Sequence, residues 1–261
     1  MATGNVGMKI EGLEGRTALI TAAGQNVGRR VALAFAEAGA NVVINGLSDL
    51  GKIESVAEEA ERFGVKALPV LADCSQWPSV AAMVETAAKA FGSLDVAVSA
   101  VGIRPHQAFH EISIEDWDRV VRTNLNSAFY VDRAVLPHMR AKRFGRIIHM
   151  AGSDALFPLE NRAHVVATKH ALHGLAKAIA LEYGPEGITA NSVAPGWVST
   201  QRNPDWFPNL NDTVAELEKT LPLRHLGDVE DISNACIYLA SNMGKFITGQ
   251  MIHINGGEFM I

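Results

Sequence analysis

Short apolar runs and amphipathic helical patterns take turns along this chain from Thr17 to Ile254, and that alternation leaves few architectures open. Residues 17–21 predict a first strand. Val31, Ala34, Phe35 and Ala38 then fall at i, i+3, i+4 and i+7 of a helix that Gly39 ends. Strands are expected again at 42–44, 67–71, 94–99, 146–150, 188–193 and 250–254. Ile53, Val56, Ala57 and Ala60 mark one intervening helix, and Val80, Val84, Ala87 and Phe91 mark another. Units of this kind pair their strands in parallel through right-handed crossovers, which places helices on both faces. The expected fold class is α/β, a doubly wound, mainly parallel seven-stranded sheet. Ligands bind such sheets beyond the carboxyl ends of the strands, so residues that follow strands carry the functional argument.

No repeat and no Pro- or Ser-rich linker divides the 261 residues. The reading is one domain over 1–261, with 1–12 a flexible tail. A net charge of −5 without a run of Lys and Arg argues against a nucleic-acid surface. No stretch approaches the roughly 18 apolar residues of a membrane span. Residues 1–15 lack the apolar core of a secretion signal. Cys74 and Cys236 match no metal spacing. A cytoplasmic protein with reduced thiols and no metal fits these features.

Between the first strand and its helix lies Thr21-Ala22-Ala23-Gly24-Gln25-Asn26-Val27-Gly28. A tight turn opening into a helix points backbone N–H groups and the helix dipole at a pyrophosphate; an ordinary strand-to-helix turn is the other reading of this segment. Later come 94–102 (Leu94 to Gly102, including Ala100), Asn124-Leu125, Lys169, 191–196 ending in Pro195-Gly196, and Asn255-Gly256-Gly257. Taken in order, from about Leu13 onward, these segments resemble the classical short-chain dehydrogenase/reductase family, whose domain is a Rossmann fold. The resemblance implies that NAD(H) or NADP(H) is held by Thr21, Ala22, Asn26, Val27, Gly28, Asp73, Cys74, Ala100, Gly102, Lys169, Pro195, Gly196, Val198 and Thr200. Two glycines of the family's loop are replaced, by Ala22 and Asn26, and Gly28 is kept. Asn is the non-glycine residue most tolerant of positive φ. After the second strand, Asn45-Gly46-Leu47-Ser48 offers neither the acid that favours NAD nor a base that favours NADP, so the choice between the two stays open.

In that family a tyrosine four residues before the lysine exchanges the proton, a serine orients the substrate, and an asparagine supports a relay. Here Lys169 and Asn124 match, but the tyrosine position is Val165 and the serine position is Gly152. An alternative spacing, with the tyrosine seven before the lysine, falls on Arg162. The chain is thus identified as a divergent member without the usual serine and tyrosine. Ser153 could serve through a one-residue loop shift. His164 titrates in the right range, although it lies about 140° around a helix from Lys169. The expected catalytic set is Lys169, Asn124, His164 and Ser153.

His106, Asp154, Trp197 and Trp206 are expected to meet the substrate, with 197–222 forming a lid. Each also has a structural reading, as a surface histidine, a turn cap or lid packing. The aromatics suggest a small apolar or aromatic substrate. The resulting expectation is an oxidoreductase acting on a carbonyl, alcohol or imine by an atypical proton route. Two alternatives stand beside it: a non-redox enzyme on this fold (a lyase, isomerase or dehalogenase), or a non-catalytic cofactor-binding protein. The resemblance also implies a homodimer or homotetramer, packed through long helices at 115–139 and 166–183 and through the tail at 256–261.

Overall fold

The structure, a computed structural model, describes residues 10–204 and 207–260. Seven strands and eight α-helices alternate: β1 (Thr17–Ile20), α1 (Asn26–Glu37), β2 (Asn41–Gly46), α2 (Leu50–Glu61), β3 (Ala67–Leu71), α3 (Trp77–Phe91), β4 (Val96–Ser99), α4 (Ile114–Val121), α5 (Ser127–Lys142), β5 (Gly145–Met150), α6 (Ala163–Tyr183), β6 (Ile188–Pro195), α7 (Leu210–Thr220), α8 (Val229–Ala240) and β7 (Met251–Ile254). They form one sheet in the order β3-β2-β1-β4-β5-β6-β7, and every neighbouring pair is parallel. The order of succession along the sheet reverses between β1 and β4 while the strands stay parallel, so a crevice opens above that pair.

Each face of the sheet is sealed by its own apolar layer, because side chains alternate along a strand. Ala18 and Ile20 of β1 pack with Val31 and Phe35 of α1 and with Ile232 and Cys236 of α8. Leu19 points the other way, into Val80 and Val84 of α3, Val131 and Val135 of α5, and Ala176 and Ile179 of α6. The sheet is therefore a rigid floor, and the loops at its carboxyl edge are free to specialise.

Strand ends shift from expectation by one or two residues. Two other differences have physical causes. The long helix expected over 115–139 changes type midway without a gap: α4 ends at Val121, a π-helical turn spans Arg122–Asn126, and α5 begins at Ser127. Such turns recur at functional sites. Here it carries Asn124, whose Oδ1 accepts from Ile103 N at 2.8 Å. Its Nδ2 donates to Ile103 O at 3.0 Å and to Thr168 Oγ1 at 3.2 Å. The inner end of the segment 1–12 meets the body of the fold. Ile10 packs on the core, and Glu11 O accepts from Asn242 N at 3.0 Å. Residues 1–9 lie outside the described residues. Among those described, no helix is long and apolar enough to cross a membrane.

Candidate active site

One cleft runs along the carboxyl edge of the sheet. Its wall is drawn from the loops after β1 (Ala22, Gln25 to Gly28), β4 (Ala100, Gly102, Arg104), β5 (Met150 to Asp154) and β6 (Pro195 to Val198, Thr200 to Arg202). Lys169 and Arg162 from around α6, and Glu258 and Phe259 from beyond β7, complete it.

At one end lies the loop into α1. Ala22 has φ of 52° and Asn26 of 51°, both in the left-handed region that glycine would favour. Asparagine accepts that conformation easily; alanine holds it at a cost of about 1–2 kcal/mol. Ala22→Gly is accordingly expected to stabilise the fold by about 0.5–1 kcal/mol, the relief exceeding the added chain entropy of glycine. A higher urea midpoint at unchanged m-value would register it.

Gly28 admits no side chain, since a Cβ there would sit 2.2 Å from Ala22 O. Gln25 at the N-cap makes no side-chain capping hydrogen bond, which leaves the first N–H groups of α1 without a side-chain partner beside the cleft. A bare N-terminus beside a loop that must be glycine-thin fits a pyrophosphate. Thr21 works behind the loop, accepting from Ala100 N at 2.9 Å and donating to Val98 O at 3.4 Å.

Asn26 does more than tolerate its φ. Its Nδ2 donates to Gln201 O at 3.1 Å and its Oδ1 accepts from Gln201 N at 3.0 Å, so it ties the loop to the segment after β6. That segment is anchored by Gly196 N to Ile254 O at 2.9 Å and by a bridge between Val198 and Gly227. Thr200 lies on the cleft wall and donates to Val198 O at 3.4 Å.

The other residues expected around the dinucleotide have local employment. The Asp73 carboxylate accepts from Ser75 N at 2.9 Å. The Cys74 thiol lies 3.2 Å from Asn45 Oδ1, and burial pushes it up to about 12, so it stays protonated. Asn45 also donates to Gly46 O, Val70 O and Ala72 O and accepts from Ala22 N. It fastens the strand ends instead of facing a ribose.

At the centre of the cleft Lys169 is buried, and its Nζ donates to Met150 O at 2.6 Å. Burial, and then the Arg104 charge, lower its pKa from 10.5 to about 8, with Asp154 opposing them. Val165, four residues back, is fully buried and stays out of the cleft. None of Tyr130, Tyr183 or Tyr238 lines the cleft either. Gly152 has φ of 87°, a conformation that would strain a serine, and Ser153 follows it on the cleft wall.

Of the other expected residues, Asp154 and Trp197 line the cleft. His106 stands beside it, with its Nε2 accepting from Arg162 Nε at 2.8 Å and Nη2 at 2.6 Å. Its ring meets Phe207 edge-on at 5.3 Å. Burial and Arg162 lower the pKa of His106. His164 is placed elsewhere. α6 begins at Ala163, and the ring is buried off the cleft, with Asp116 and Arg119 of α4 the charges that it feels. Trp206 lies outside the described residues.

The far end holds what the motifs did not signal. Arg162 Nη1 pairs with the Asp154 carboxylate at 3.1 and 3.3 Å. Arg202 donates to Val198 O at 3.0 Å and stacks over Trp197 (4.5 Å) and Phe207 (4.9 Å). Arg104 projects from the loop after β4. Glu258 keeps Oε2 buried without a hydrogen-bond partner among the described residues; burial, then Asp154, raise its pKa against the pull of the Trp197 indole. Phe157 and Phe259 stack at 4.0 Å.

Residues 21–258 match a family model described as enoyl-(acyl carrier protein) reductase. The chain is 36% identical over 245 residues to a 3-oxoacyl-[acyl-carrier-protein] reductase FabG of Staphylococcus epidermidis, covering 94% of this chain and 99% of that one. It is 34% identical to the BbsD subunit of the (2S)-[(R)-hydroxy(phenyl)methyl]succinyl-CoA dehydrogenase of Thauera aromatica (95% and 98% covered). It is 32% identical to an L-rhamnose 1-dehydrogenase (NAD(P)(+)) of Sphingomonas sp. (95% and 98%). A crystal structure from Sinorhizobium meliloti 1021, assigned as a short-chain alcohol dehydrogenase, superposes with a TM-score of 0.89 at 27% identity (94% and 96%).

Proposed function

This chain belongs to the short-chain dehydrogenase/reductase family, and on that premise we propose that it is an NAD(P)-dependent oxidoreductase of a carbonyl, alcohol or imine, with Lys169 as the proton carrier. The observation that supports the reading is a single cleft that joins the phosphate-type loop, Lys169 and the Pro195-Gly196 segment. NADH, NADPH and their oxidised forms are all candidates, since the end of β2 carries no charge. When bound, the cofactor supplies or accepts the hydride.

The chain's own residues divide the remaining work. The open N-terminus of α1 and the loop from Ala22 to Gly28 would hold the pyrophosphate. Asn124 fixes Ile103, and with it the loop that carries Gly102 and Arg104. Lys169 keeps one N–H on Met150 O and exposes the rest of its ammonium to the cleft. In the reductive direction it gives a proton to the substrate oxygen as the C–H bond forms, then takes one back from solvent. With a pKa of about 8, it exchanges protons near neutrality, which is the range a general acid needs. No phenol is required for that step. The Ser153 hydroxyl, on the cleft wall, orients the reacting oxygen.

The reading includes assembly as a homodimer or homotetramer in the cytoplasm, with a small-molecule substrate and neither nucleic acid nor membrane as partner. The test is a fluorescence titration with NADH and with NADPH, followed by absorbance of the reduced cofactor against a panel of ketones, aldehydes and imines. Binding with oxidation is expected. Substrate loss without cofactor oxidation would replace this reading with a lyase or isomerase, and binding alone with a non-catalytic role.

A further inference from the structure

The substrate end of the cleft carries more positive charge than its neighbours answer. Arg162 is neutralised by Asp154. Among the described residues, Arg202 has a single backbone carbonyl and two aromatic rings as partners. Arg104 makes no hydrogen bond and no ion pair among the described residues, although it lines the same cavity. Arg162 and Arg202 both lie against Phe207, at 5.5 and 4.9 Å from its centroid. Lys169 adds a further charge a short way along the wall. Among the described residues, Glu258 is the other carboxyl on that wall besides Asp154, and its surroundings favour the neutral acid. A chain with net charge −5 thus concentrates cations where its substrate would lie.

We propose that Arg104, backed by Arg202 and the Arg162–Asp154 pair, recognises a substrate carboxylate, so that the enzyme acts on an oxo acid or hydroxy acid with an apolar or aromatic body. The assignment rests on the reading of this cleft as an oxidoreductase site. Guanidinium and carboxylate match as planar forks, and one unpaired arginine suits one negative charge. Arg202 is held down to about 10 by burial, Arg104 and Arg162; the Arg104 pKa is lowered by desolvation, with Asp154 pulling it back up and Arg162 adding to the drop, and a bound anion would relieve the repulsion among the three arginines. The cofactor's phosphates do not account for the cluster. Their cradle is the N-terminus of α1, and a 2′-phosphate belongs after β2, whereas Arg104 follows β4. Phe157, Trp197, Phe207 and Phe259 supply the apolar wall.

The test uses benzoate, benzamide and phenyl phosphate as probes, by calorimetry and thermal melting, with and without saturating NADH or NADPH. Benzoate is expected to bind and to raise the melting temperature, and benzamide to do neither. Arg104→Met should weaken benzoate about thirtyfold, and Arg104→Lys less, since a charge survives without the fork. Arg202→Met, a second variant, should weaken it about fivefold. Equal binding of benzamide, unchanged benzoate affinity in Arg104→Met, tighter binding of phenyl phosphate than of benzoate, or no benzoate binding would each overturn the assignment. Cofactor titration separates the two claims. NADH or NADPH binding without benzoate binding removes the carboxylate site alone; Arg104-dependent benzoate binding without dinucleotide binding removes the redox reading alone.

Discussion

Lys169→Met is expected to cut turnover at least a thousandfold and to change how stability depends on pH. The first effect follows from the absence of another acid at the tyrosine position: Val165 is apolar and buried, and a positioned general acid is worth about 10²–10⁴ in rate. The second is a linkage effect. In the fold the ammonium loses its proton near 8, against an ordinary value of 10.5. Between those two values the unfolded chain holds a proton that the folded chain has released, so the stability of the wild type rises with pH across that window. A difference of this size amounts to about 3 kcal/mol at most. Below the window both states are protonated and the slope vanishes. The variant has no ammonium and lacks the rise. Urea unfolding of cofactor-free protein, repeated across the window, reads the difference between the two curves. Parallel curves would show that Lys169 titrates normally and could not exchange its proton near neutrality.

Gly28→Ala is the second large effect. The added methyl would lie 2.2 Å from Ala22 O, 2.9 Å from Ala22 C and 3.1 Å from Ala23 Cα. These are backbone atoms of a turn tied to β2 through Asn45, so no flexible side chain can yield. The loop itself must move, at a cost of about 1–3 kcal/mol in stability. Its N–H groups would then no longer converge on one point. Affinity for NADH or NADPH should fall at least about a hundredfold, because several hydrogen bonds to a charged pyrophosphate weaken together. Fluorescence titration measures this. Near-normal affinity would mean that the dinucleotide does not use this loop.

The fold was legible because its signal is local and repeated. Ala18, Leu19 and Ile20 read as a strand, and Val31 to Ala38 as a helix face, without knowledge of anything distant. The π-helical turn was not legible, because one extra residue in a turn hardly disturbs an apolar periodicity. The site divides the same way. Gly28, Asn124 and Lys169 sit in recognisable local settings; Gly28 and Lys169 line the cleft, and Asn124 is buried behind it, bonded to Ile103. Arg104, Arg202 and Glu258 are single charged residues in loops, and nothing nearby distinguishes them from surface residues. Their significance comes from the sheet, which brings the ends of β4, β6 and β7 to one edge. His164 fails for a geometric reason that the helix itself supplies. At 3.6 residues per turn a side chain five positions from Lys169 faces well away from it, and α4 covers that side.

Asn26 carries a last consequence. Its carboxamide meets the peptide of Gln201 as another peptide would, donor to acceptor and acceptor to donor. Aspartate would preserve one of these bonds and set lone pair against lone pair at the other. Glycine would accept the backbone turn and lose both. The position therefore answers two demands at once, a left-handed backbone and an amide end-group of fixed reach, and asparagine meets both. What looks in the sequence like the decay of a glycine motif is the exchange of one constraint for a stricter one.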